Sequence, residues 1–206
     1  MTRRRREPDP TPTPEPNDPT GDELDPSALP PAKIAALKSR AAVGLPPVKM
    51  PARLPQRLGI VLHCTASVRP VSPEHAAERV RKIHRAHTAP RRIVDGKNRG
   101  GRGWPDAGYH WVVDAWGNVY QLLGWGLMGR HCKTPAPSLN LSTHGIVLLG
   151  HGMETTEAER AAVRWLVEDA ERRFGKQWVI GHGEVSSKDC PGPAGRELVK
   201  ALGRPR

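Results

Sequence analysis

Hydrophobic positions are spread unevenly along the chain. Residues 7 to 31 hold almost no large apolar side chain, whereas from Leu58 onward short β-branched runs alternate with stretches of helical period. Leu58 to Cys64 (LGIVLHC) has the length and composition of a strand. Ser72, Pro73 and Glu74 then supply an N-cap, a first-turn proline and an acidic first turn, predicting a helix over Pro73 to His87 with Ala76, Val80, Ile83 and His87 on one face. Ala89 to Gly103 is rich in Gly and Arg and lacks a period, so it is expected to be a loop. Tyr109 to Val113 and Asn118 to Leu123 flank Asp114-Ala115-Trp116-Gly117, a β-hairpin pattern. Gly145 to Leu149 is a further strand. Thr156 and Glu159 form a capping box for a helix to Phe174, with Val163, Leu166, Val167, Ala170 and Phe174 as its stripe and Gly175 as its end. Trp178 to Gly181 is a last short strand. The order β-α-ββ-β-α-β predicts an α/β fold with a single mixed central sheet flanked by helices.

Composition sharpens the boundaries. Thirteen of the 22 prolines lie at or before Pro55, and residues 1 to 57 read as a mostly disordered, Pro-rich tail that cannot bury enough surface to offset the entropy of ordering it. One short helix over Lys33 to Val43 interrupts it. The domain then spans 58 to 206, an ordinary size for one core. Neither a membrane-spanning run nor an export signal is recognisable, because Arg3 to Arg6 lead into Glu7-Pro8-Asp9-Pro10 and not into an apolar segment. Three cysteines do not make a disulfide framework. The 32 Lys and Arg against 21 Asp and Glu leave a net charge of +11, which suits a polyanionic partner without choosing among nucleic acid, teichoic acid, lipopolysaccharide and a cell-wall mesh. Nothing matches a DNA-reading motif, so charge is all that supports a nucleic-acid partner.

Most of the nine histidines are accounted for by packing; His75, His84 and His87 lie on or beside a basic amphipathic helix. His63 differs, because it closes an apolar strand just before Thr65-Ala66-Ser67, where loops usually build sites. Alternation along the strand puts His63 and Cys64 on opposite faces. The segment His182-Gly183-Glu184-Val185-Ser186-Ser187-Lys188-Asp189-Cys190 carries two preferred zinc ligands, and a loop of that length lets both reach one ion. His63 is the best third donor, and a His-His-Cys set would leave a fourth position for water. Spacing alone leaves equally open that His182 and Cys190 are loop residues without a metal.

Taken together, His63 to Ser67, Gly103 to Trp111 (GWPDAGYHW), Trp116 to Tyr120 and His182 to Gly192 resemble the type-2 N-acetylmuramoyl-L-alanine amidases, a family that includes amidase-type phage lysozymes and peptidoglycan recognition proteins. The resemblance covers roughly 58 to 200, in order. It implies zinc held by His63, His182 and Cys190, a Tyr109 that positions water or the substrate carbonyl, a Lys188 that stabilises the oxyanion, and a groove histidine, His131, that contacts substrate. It further implies hydrolysis of the bond between N-acetylmuramic acid and L-alanine in peptidoglycan, by a monomeric phage endolysin that waits in the host cytoplasm until release and then acts on the wall. A peptidoglycan-binding module of the same fold without catalysis is the alternative; retention of Cys190 favours catalysis. The basic stretch Arg91 to Arg102 is longer than the usual connection. Cys64 and Cys132 receive no role.

Overall fold

The computed structural model describes residues 35–49, 52–132 and 137–204. Its centre is a six-stranded sheet in the order β1-β6-β5-β7-β2-β8. The strands are β1 (Ala36–Lys38), β2 (Gly59–Cys64), β5 (Trp111–Val113), β6 (Asn118–Gln121), β7 (Thr143–Leu148) and β8 (Trp178–Gly181); β3 (Ile93–Val94) and β4 (Lys97–Asn98) form a separate ribbon. In the described large sheet the β5–β6 pairing is antiparallel, with Trp111 opposite Gln121, and the other neighbours run parallel. The expected mixed sheet is present, and β2, the most continuous apolar run, is flanked by β7 and β8 and buried along its whole length.

Among the described residues, three helices cover the sheet: α1 (Pro73–Thr88), α2 (Glu157–Phe174) and α3 (Pro193–Leu202). Ser72 caps α1 by accepting the His75 N–H at 3.2 Å. The Thr156–Glu159 capping box closes reciprocally at 3.0 Å in each direction. Ile60, Leu62, Val113, Ile146 and Leu148 point to one face, against Ala162, Val163, Leu166 and Ala170 of α2 and Leu198 and Leu202 of α3. The opposite face carries Val112, Tyr120 and Val147, packed against Ala76 and Val80 of α1. Beyond α1 that second face is lined by Val61 and Ile180 with Cys132 and Leu139. His63, two residues from Val61, projects on this side. Among the described residues no helix is long and apolar enough to cross a membrane.

Three expectations need correction. The described part of the presumed tail packs on the domain: Ala36–Lys38 pairs with β6 in parallel, Ala41–Val43 is a 3₁₀ turn, and Leu54 is 2% exposed. The helix expected over Lys33 to Val43 is therefore a strand and a turn from Ala36 on; Lys33 and Ile34, like residues 1–32, lie outside the described residues. The segment buries Val43, Leu45 and Leu54, with Leu37 packed on the core, and a polar anchor adds to them. Arg40 is buried and forks onto the buried Asp106 carboxylate at 3.1 and 3.2 Å, while its Nε–H donates to the Pro46 carbonyl at 2.6 Å. Pairing of β1 also covers the edge of β6. Second, the presumed loop Ala89 to Gly103 contains the β3–β4 ribbon, turned at Asp95 and Gly96, both at positive φ; Asp-Gly is a hairpin signal that the lack of period obscured. Third, α3 has no counterpart among the predicted elements, although Pro193 at its start and Gly203 at its end mark it.

Candidate functional site

The register of two parallel strands assembles the site. Leu62 pairs with Gly181, so His63 and His182 follow side by side, with ring centroids 4.5 Å apart. Cys190 returns to the same place, its Sγ 3.9 Å from His63 Nδ1. One donor atom from each of the three residues lies within 4.8 Å of the others. His63 is 1% exposed, and His182 and Cys190 are each 9% exposed, which puts the cluster just beneath the surface.

The loop that carries His182 and Cys190 is closed by its own backbone. His182–Val185 is a 3₁₀ turn, Ser186 Oγ donates to the His182 carbonyl at 3.0 Å, and the Cys190 N–H donates to the Lys188 carbonyl at 2.9 Å. The Gly183 N–H donates to the Cys190 carbonyl, where a Cβ on Gly183 would come within 2.9 Å. Glu184 turns back to accept the Gly181 N–H at 2.6 Å, so it braces the turn. Lys188 is exposed at the rim, and its charge reaches both His182 and Cys190.

Tyr109 comes from the other side, its ring 5.2 Å from that of His63. Burial, reinforced by Cys190, pushes its phenol up to about 12, so it remains a proton donor. Its ring leans on His87 of α1 at 5.5 Å; His87 Nδ1 accepts the Gly108 N–H at 3.1 Å, and the His87 ring in turn packs, tilted, on Trp104 at 4.9 Å. Thus His87 packs, as its helical position implies, and what it packs is the segment that presents Tyr109. Arg102 lies 4.9 Å over the Trp104 ring, and Arg91, Arg92, Lys97 and Arg99 stand exposed on the adjoining ribbon.

His131 departs from its expected place as a groove residue that touches substrate. It is 7% exposed and both ring nitrogens are engaged by protein: Nδ1 meets His63 Nε2 at 3.1 Å, and Nε2 meets the Thr143 carbonyl at 3.2 Å. It lies behind His63, leaving nothing to offer a ligand. Cys64, without a role in the sequence, donates its backbone N–H to Cys190 Sγ at 3.4 Å. The mutual influence of the two neighbouring thiols lowers Cys64 and raises Cys190, which burial raises further. Neither contribution was readable from the sequence, since each depends on a partner at least 68 residues away.

The donors fit zinc. Tetrahedral coordination needs nitrogen and sulfur ligands about 3.5 Å apart, close to the 3.9 Å between His63 Nδ1 and Cys190 Sγ. Burial first, and neighbouring charges next, hold His63 well below and His182 below the ordinary histidine value, so both imidazoles are neutral and present lone pairs. A second set, His63, His131 and Cys132, is equally compact, but there the His63 and His131 nitrogens already meet each other at 3.1 Å and the other His131 nitrogen is taken by the Thr143 carbonyl, so that set has no free imidazole pair to offer an ion.

Residues 55–193 match the family model described as N-acetylmuramoyl-L-alanine amidase. The chain is 36% identical over 95 residues to peptidoglycan-recognition protein SC2 of Drosophila melanogaster, covering 44% of this chain and 50% of that one, and so spans about half the length of that relative. Peptidoglycan recognition protein 1 of Mus musculus is 29% identical over 162 residues, 74% of this chain and 81% of that one. Among solved structures, the ectodomain complex of peptidoglycan recognition proteins LCa and LCx bound to tracheal cytotoxin superimposes with a TM-score of 0.69 at 23% identity, covering 83% of this chain and 98% of that one. With more than half of its length matched by the family model and its architecture shared with the recognition proteins, this chain belongs to the N-acetylmuramoyl-L-alanine amidase family, a family of peptidoglycan binding or amide hydrolysis.

Proposed function

We propose that the protein is a zinc-dependent amidase that cleaves the bond between the lactyl group of N-acetylmuramic acid and the L-alanine of the stem peptide. The observation that carries this reading is the convergence of His63, His182 and Cys190, two neutral imidazoles and a thiol, on one point beneath the surface. When bound there, zinc supplies a Lewis acid and lowers the pKa of a coordinated water towards neutrality. The chain's own groups do the rest. Tyr109, kept protonated, donates a hydrogen bond that orients the water or the scissile carbonyl, and Lys188 brings its ammonium to the oxyanion that develops as the amide is attacked. The basic β3–β4 ribbon supports attraction to anionic envelope polymers, and the lysine at 188, which resembles phage-type amidases, supports a lysis enzyme released from the host cytoplasm onto the wall.

The test is release of new L-alanine amino termini from purified peptidoglycan, abolished by a chelator and restored by zinc. His182→Ala and Cys190→Ala are expected to lose it. Wall binding without release in the zinc-loaded wild type would instead identify a recognition module, the reading favoured by the recognition proteins among its relatives.

A further inference from the structure

Behind the three donors runs a line of hydrogen bonds whose direction is set at its far end. The Thr143 carbonyl can only accept, so His131 Nε2, 3.2 Å away, must carry a proton. The Thr143 hydroxyl gives the same answer: its proton goes to the Leu139 carbonyl at 2.6 Å, leaving its oxygen to accept from the same His131 nitrogen at 3.4 Å. In the neutral ring His131 Nδ1 is then bare. It faces His63 Nε2 at 3.1 Å and the Cys132 thiol at 3.4 Å, and it accepts from both. His63 Nε2 therefore holds the hydrogen of that ring, and the His63 lone pair sits on Nδ1, the nitrogen that faces Cys190 Sγ.

The geometry points to His131 as a positioning residue that locks the tautomer and the ring plane of His63, aiming the Nδ1 lone pair at the metal position. This deepens the amidase reading and rests on it in one respect, that His63 is a ligand. Room for the device is built into the sheet. A Cβ at Gly145 would stand 2.6 Å from His131 Cγ, so β7 is bare of a side chain where the imidazole lies across it. The Gly145 backbone N–H is meanwhile taken by His110 Nδ1 at 2.8 Å. The role accounts for a histidine that is enclosed, fully hydrogen-bonded and one ring away from the chemistry.

The tautomer can be read directly in the metal-free wild-type protein by long-range ¹H–¹⁵N correlation of the histidine rings. His63 protonated on Nε2 is expected; His63 protonated on Nδ1 overturns the proposal without any variant having to fold. Zinc affinity, measured by chelator competition, gives the second readout. His131→Phe keeps the ring but removes the acceptor, and is expected to weaken zinc binding by about 10- to 100-fold and to mix the His63 tautomers. His131→Asn, whose Oδ1 stands where Nδ1 stood, is expected to restore most of that loss. Unchanged affinity in His131→Phe would overturn the role, as would two zinc ions per chain with one lost in Cys132→Ser, since that would make His131 a ligand. A wild type that binds no zinc, yet shows the Nε2 tautomer, would sink the amidase reading and leave the hydrogen-bonded line standing.

Discussion

His63, Tyr109 and His131 are held by groups far away in the chain, whereas the His182 to Cys190 loop holds itself. The first set leans on β2, β7, the end of α1 and the segment around Asp106, with His63 and His131 separated by 68 residues. The second is closed by bonds among Gly181, His182, Gly183, Glu184, Ser186, Lys188 and Cys190. The comparison shows a division of labour. The sheet-borne half sets direction and depth, and the loop supplies two donors and one exposed charge at the rim. Damage to the two halves should therefore look different.

Cys190→Ala in the loop half should have the largest effect. It is expected to reduce zinc affinity by more than the about 100-fold that outer-shell partners account for, with the thermal midpoint of the metal-free protein almost unchanged. Chelator competition and calorimetry check both parts. Arg40→Ala strikes the support of the sheet-borne half. Leaving Asp106 buried without its guanidinium is expected to cost about 3–5 kcal/mol of stability, read as a fall in the urea midpoint. A midpoint within error of wild type would mean that the N-terminal segment does not anchor this half.

Lys188→Ala separates charge from structure. Because Lys188 is exposed and far from the core, stability and zinc content should hold while turnover falls by roughly 100-fold, the loss typical of one oxyanion-stabilising group. The smallest effect concerns pH. Burial brings His110 down to about 4, and His87 also to about 4 by burial with Arg102 and His84 adding to it. The unfolded chain binds these protons near pH 6.5 and the folded chain does not, so stability is complete above that value and drains away as pH falls towards 4. For His110 the loss is about 2 kcal/mol at pH 5. A series of urea midpoints from pH 7.5 to 4.5 should decline, and a flat series would contradict neutral buried imidazoles in the sheet-borne half.

The helices α1 and α2 were legible because their caps and apolar stripes are local, and the hairpin of β5 and β6 because its turn is. The loop half of the site was legible for the same reason: His182, Lys188 and Cys190 lie within nine residues. His63 could be proposed from its place at a strand end. His131 was seen but given the wrong task, since the difference between touching substrate and bracing His63 lies in which groups fill its two nitrogens. The N-terminal strand was missed because its few buried apolar residues, Val43, Leu45 and Leu54, are scattered without a period among prolines, and the backbone pairing and the Arg40–Asp106 ion pair that join them leave no local signal.

Local patterning was enough for the mixed sheet, the two capped helices and the kinds of donor available for a metal, because propensity, capping and ligand chemistry belong to residues and their near neighbours. Only the tertiary structure decided that Leu62 opposite Gly181 would set His63 beside His182, that Cys64 would offer its N–H to Cys190, and that His131 would stand behind His63 with both nitrogens taken. Those are facts of register and long-range packing, in which a partner's identity is fixed by how the sheet closes and not by distance along the chain.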